Sequence, residues 1–299
     1  MKSEIPDHLK ADLPPTGWGR ILGMTPVVMA VVATALAGLA SSEMTRAQYD
    51  RSLAAQLQSK AGDQWGLFQA KKLRSAFQKT AFDLLAGSFE LHPLDASALP
   101  PQTVDRTAVE LLQHGSPESA AAPAADGEIK AAIDAVEASS PDSEIAGLLA
   151  HVDDASLDRS LRAAEDQVQA LDAAGQPAER AIAQLDSVLG PAQKGVDASL
   201  RRDFTALRLR REAQRYDAEA RLNQAIANIY ELQVRKANIS AERHHVRSQR
   251  FFYGMLAAQM AVIISTLAIA ARKRSLLWSL AAAAGLGAVS FSLYVYLSV

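Results

Sequence analysis

The 299-residue chain contains no cysteine. That absence excludes a disulfide frame, a thiolate nucleophile and any zinc or iron–sulfur site ligated by cysteine. It does not select a compartment. Charge is missing from three stretches: residues 21–40, 251–271 and 276–299 hold no Asp, Glu, Lys or Arg. Proline is absent from residues 41–90 and again from 196–250, so no pyrrolidine ring breaks a helix there. Only Gly62, Gly66 and Gly87 interrupt the first of these stretches, and no glycine interrupts the second. No Gly-rich phosphate loop or Walker-like run is visible, and neither is a Ser–His–Asp set. The residues point to no enzyme, no cofactor and no resident metal.

The three uncharged runs are each about twenty residues long, the length a helix needs to cross a bilayer core. The last two are separated only by the basic break at 272–275, Arg-Lys-Arg-Ser. So short a break turns the chain straight back into a helical hairpin. The first run follows a polar, Pro-rich tail that ends at Trp18, with Trp18 and Arg20 placed as interfacial anchors. Ala37-Gly-Leu-Ala40 resembles a small-residue cleavage site, but the run is longer and starts further from Met1 than a signal peptide's apolar core. It is read as a retained span with Pro26 in its first turns.

Overall charge is −2, and its distribution is uneven. Residues 93–194 contain 6 Lys and Arg against 18 Asp and Glu, and the remainder contains 25 against 15. An acidic middle repels phosphate, so no nucleic-acid partner is expected. Eight of the chain's 12 prolines also fall in this segment, between Pro93 and Pro191. Between them lie four helix-compatible pieces, 103–113, 128–138, 156–173 and 178–189, with a loop at 116–127. Small side chains give the segment little to bury.

On either side the helical period is clear. Tyr49, Leu53, Leu57, Ala61, Trp65 and Phe68 recur at spacings of three and four, as one helix face. Leu200, Phe204 and Leu207, then Leu222, Ile226 and Ile229, make a second stripe. Both helices are expected to run unbroken into the apolar spans and to pack on each other, stripe to stripe, as an antiparallel stalk. The expected fold is all-α. It has a tail (1–18), transmembrane helix 1 (19–41), a stalk helix (42–92) and an acidic helical insertion (93–195). A second stalk helix (196–250), transmembrane helix 2 (251–271), a basic loop (272–275) and transmembrane helix 3 (276–299) complete it.

The run Ala61-Gly-Asp-Gln-Trp-Gly-Leu-Phe-Gln-Ala-Lys-Lys-Leu-Arg74 resembles the signature of the bacterial domain-of-unknown-function 4337 family. Members show Ser-Asp-Gln-Trp, two aromatics and Gln-Ala-Lys just after a first span. Ala241-Glu-Arg-His-His245 and the Arg-Lys-Arg break at 272–274 look like the same family. The resemblance covers residues 14–80 and 225–299. It departs at Gly62, where Ser is common, and at Gly66 and Leu67, where aromatics are usual. It implies a three-span bacterial membrane protein and assigns no activity.

Some residues invite chemical readings. Glu242 and His245 share a helix face, but di-iron bundles need two Glu-x-x-His pairs and this chain has one. A hydrated helix end is the plainer reading. Asp63-Gln64-Trp65 fits stalk packing better than a partner patch. Gln259, inside an uncharged run, faces a neighbouring helix or lines a pore. The arginines from Arg201 to Arg215 alternate with acids, so they pair with the insertion or with water rather than bind phosphate. Small residues at four-residue spacing mark packing faces in the spans: Ala30/Thr34/Gly38, Gly254/Ala258, Ala257/Ala261/Ser265, Ala281/Gly285 and Ala283/Gly287.

Short-loop charge orients spans. Lys2, Lys10, Arg20 and the break at 272–274 place the large domain outside the cytoplasm, with Arg243, Arg247 and Arg250 opposing. The expectation is a non-enzymatic, homo-oligomeric scaffold or accessory subunit of a bacterial inner membrane. It is partnered by the lipid bilayer, its own copies and another membrane protein. A pore or tension-gated channel is the alternative.

Overall fold

A computed structural model describes residues 17–95, 99, 109–110, 112–113, 126–190, 195, 197–270 and 276–298. Among them the protein is all-helical: α1 (Gly17–Ser88), α2 (Gly127–Glu137), α3 (Asp142–Leu149), α4 (Asp154–Leu189), α5 (Ala198–Ala270) and α6 (Leu276–Ser298). The tail at 1–16, the loop at 116–125 and the break at 272–275 lie outside the described residues, as do the side chains of Trp18 and Arg20. Of the piece expected at 103–113, Val109, Glu110, Leu112 and Gln113 are described and helical. The chain divides into two units, one of residues 1–52 with 237–299 and one of residues 53–236.

In the first unit three helices meet at small residues. Ala33 of α1, Ala258 of α5 and Ala288 of α6 form one buried cluster, with Val32 and Met255 against it. Leu36, Ala40 and Phe251 form another. Helices α1 and α5 each contain an apolar window long enough to cross a bilayer, 17% and 33% buried respectively. The core helix of a soluble protein would be mostly covered, and these are mostly bare. Helix α6 has 23 residues, but its apolar stretch with described side chains, Ser279–Phe291, falls short of a span. Two helices therefore meet the length and composition of a span where three were expected.

In the second unit α5 has two working faces. Phe204 packs with Ala178, Ala181, Leu185 and Leu189 of α4 and with Leu94, Leu99, Val109 and Leu112. Leu222 and Ala218 pack with Leu171 of α4. The expected α5 stripe is thus buried, but against α4 rather than α1. Toward α1, α5 presents alanine every seventh residue, at 206, 213, 220 and 227, all buried. Helix α1 answers with buried Ala54, Ala61 and Ser75 at the same period. The stripe expected on α1 is corrected in the same way: Tyr49 is exposed, and Leu57, Trp65 and Phe68 are only half-buried. Small side chains at a seven-residue repeat let two helix backbones approach, and larger ones are pushed to the flanks.

The acidic segment differs from expectation in three ways. Pro177 does not divide α4. Its ring removes one backbone hydrogen bond, and buried Leu171, Gly175, Ala178 and Ala181 hold the helix together across it. Helix α4 starts at Asp154, capped by the Asp153 carboxylate, which accepts from the Ser156 amide. Helix α3 was not anticipated at all. Short as it is, it buries Ile145 and Leu149, and it packs on α2, whose Ile129 and Ala132 are fully covered.

Candidate functional site

No single cleft organises polar chemistry here. The functional surfaces are a ladder of polar pairs that fixes α1 against α5, and the helix faces left uncovered. In the second unit the pairs run antiparallel. Trp65 Nε1 donates to Glu231 Oε1 at 2.8 Å, and Ser75 Oγ, buried, donates to the Ala213 carbonyl at 2.9 Å. Gln78 Nε2 donates to Glu212 Oε2 at 2.8 Å, and Lys71 pairs with Glu219. As α1 numbers rise, α5 numbers fall.

At the centre is Asp217, whose carboxylate takes Lys72 Nζ at 2.8 Å, Arg221 at 2.6 Å and Lys79 at 3.8 Å. Hydrogen bonds from Lys72 and Arg221 hold its pKa down to about 2, against partial burial that raises it. A depressed carboxylate pKa gives stability that is whole above the unfolded value of about 4 and is lost as pH falls through the folded one. Between about pH 4 and 2 the wild-type second unit therefore loses stability that an Asp217→Asn variant never had. Urea titrations of both proteins across that window check this, and parallel pH curves would refute it.

In the first unit Ser248 Oγ donates to the Ala40 carbonyl at 2.7 Å, and Ser248 is buried. His244 Nδ1 lies 2.5 Å from Glu43 Oε2, and Arg46 is 3.5 Å from Glu43 Oε1. The sequence pointed to Glu242 with His245, and the structure does not join them. Glu242 faces Arg51 at 3.9 Å, and His245 Nε2 lies 3.0 Å from Gln249 Nε2. Sequence reasoning missed Glu43 because it stands 201 positions from its partner. Among the described residues no three His, Cys, Asp or Glu side chains gather as metal ligands.

Trp65 packs edge-on against Phe68, ring centroids 5.5 Å apart, while Asp63 is exposed. Two members of the arginine run reach the acidic segment: Arg208 meets Asp186 at 3.2 Å, and Arg215 pairs with Glu179. Arg202 stacks over Phe89 at 4.6 Å. Gln259 is exposed on α5.

The small-residue faces divide into two groups. Gly254, Ala258, Ala261, Ser265, Ala281 and Gly285 are buried within the unit. A Cβ at Gly285 would sit 2.8 Å from Met29 Sδ, so α1 and α6 touch there. Ala30, Thr34 and Gly38 of α1 are exposed, as are Ala283 and Gly287 of α6, and a Cβ at Gly38 or Gly287 meets nothing within 4 Å.

A family model described as Domain of unknown function (DUF4337) matches residues 18–144. Those residues belong to the DUF4337 family. The match covers all but the first residue of α1, all of α2 and the start of α3. It thus reaches into the acidic segment, where no resemblance was expected, and ends before residues 225–299, where one was. No curated protein and no solved structure matches the chain.

Proposed function

We propose that this DUF4337 protein is a non-enzymatic membrane scaffold or accessory subunit. It self-associates through its apolar helices and presents a helical extramembrane domain to a partner membrane protein. Helices α1, α5 and α6 are its three spans, and α1 and α5 form an antiparallel coiled-coil stalk. Its place is the bacterial inner membrane, with the large domain outside the cytoplasm. The observation that carries the reading is the division of the small-residue faces. Those of α5 and part of α6 are consumed inside the unit, while Ala30/Thr34/Gly38 and Ala283/Gly287 are bare. In lipid, bare small faces associate through close packing.

Native mass measurement of the protein extracted into lipid nanodiscs, after crosslinking in the membrane, is expected to give an oligomer. Gly38→Leu with Gly287→Leu is expected to reduce it to monomer without loss of helicity, since both Cβ positions are open. A wild-type monomer under both conditions defeats the proposal. Protease protection in sealed inner-membrane vesicles tests the orientation. A second reading rests on Gln259, a polar side chain exposed on an apolar helix. Several copies turning Gln259 inward would line a pore. Planar-bilayer recordings that stay silent under voltage and tension would remove it.

A further inference from the structure

In the second unit α1 keeps one face uncovered from Ala55 to Leu84. Its large members are Leu73, Phe77 and Leu84, exposed at 58%, 66% and 68%. Its small members are Ala55, Gly62 and Gly66, all exposed, and a Cβ at either glycine meets nothing within 4 Å. All lie at combined three- and four-residue spacings, so they share one side of the helix. Past Asp63, on its edge, this face carries no charge as far as Leu84. A largely apolar side about eight turns long is not what water alone selects on a helix.

The order of the residues identifies the occupant. Read outward from the midpoint between Gln69 and Ala70, the face is complementary to its own reverse. Gly66 stands as far before the midpoint as Leu73 stands after it. Gly62 matches Phe77 in the same way, and Ala55 matches Leu84. Each large side chain is thus opposite a gap, and between them polar Ser59 matches polar Thr80. On the edge of the face, exposed Asp63 would come near Arg74 of the other strand, an opposite-charge pair made twice. A two-fold interface requires this pattern, in which residue i meets j and j meets i.

We infer that this face of α1 binds the same face of a second copy of the chain, antiparallel, centred between Gln69 and Ala70. This deepens the self-association proposed above by adding a surface apart from the spans.

Because the chain has no cysteine, each introduced thiol is unique. Single variants of the full-length protein are to be oxidised in one vesicle population and in mixtures of two populations, so that copies in facing membranes are also sampled. Ala70→Cys is expected to bridge to itself. Gly66→Cys is expected to bridge to Leu73→Cys in a mixture, while Phe77→Cys alone remains unbridged. Adding Gly62→Leu to Ala70→Cys is expected to cut the bridged fraction at least tenfold with the helical circular dichroism unchanged. Phe77→Cys bridging to itself would overturn the register, and no bridge at any position, or bridges only within one chain, would overturn the surface. Native mass of the cysteine-free protein separates this result from the wider proposal. If the oligomer persists while no bridge forms, the α1 face fails and span association stands.

Discussion

Truncating Phe204 to alanine is expected to destabilise the second unit by about 3–5 kcal/mol, the usual cost of deleting a buried aromatic. Phe204 is 2% exposed. It is the only aromatic in a cluster that ties α5 to α4 and to Leu94, Leu99, Val109 and Leu112. Most of its neighbours there are alanines and leucines on helices, which cannot swing in to fill a void. Arg202, two positions earlier, stacks over Phe89, so the same turn also fastens the chain just beyond α1. A single global unfolding free energy is ill-defined for a two-unit protein, so the readout must be local. Amide hydrogen exchange in 178–189 is expected to speed up by two to three orders of magnitude, as about 1.4 kcal/mol corresponds to a factor of ten. Exchange in 251–268 is expected to stay unchanged. Rates in 178–189 within threefold of wild type would show that this cluster does not hold the acidic segment.

That segment shows what sequence pattern can and cannot supply. The absence of proline and glycine was enough to place α5, and with Pro26 near its start α1 was legible as well. Helix α2 was expected at 128–138 and begins one residue earlier. Packing partners were not legible. Large apolar residues drew the eye to Tyr49 and Leu53, yet the contact between α1 and α5 is made by alanines, which score weakly on any hydrophobic scale. Their signal was present as a strict period of seven, at 206, 213, 220 and 227, but a face is normally sought through its largest side chains. Pro177 was taken as a boundary because a lone proline usually is one, and only burial on both sides reveals that the helix survives it. Helix α3 is eight residues long and follows Ser-Ser-Pro, which reads as loop chemistry. Pairs such as Glu43 with His244 need the register of two distant helices before they can be seen.

The alanine period makes the second large prediction. Ala61→Leu is expected to cost the α1–α5 packing about 1–3 kcal/mol, because over-packing forces backbones apart. Ala61 is fully buried, and its place in the repeat lies between buried Ala54 and Ser75. Three added methyl-sized groups cannot be taken up where two helix backbones are close enough for Ser75 Oγ to reach the Ala213 carbonyl at 2.9 Å. Separating the helices would also lengthen the Trp65–Glu231 bond and the Lys71–Glu219 pair that flank the contact. Ala76→Leu is the matched control: same helix, same change in intrinsic propensity, but an exposed position. Its expected effect is within about 0.5 kcal/mol. The difference between the two variants therefore isolates the close approach of the helices. Urea melts followed by Trp65 fluorescence, with Trp18 and Trp278 replaced by phenylalanine, give that difference directly. Equal midpoints for both variants would mean that the alanines are spectators and that the polar ladder alone joins α1 to α5.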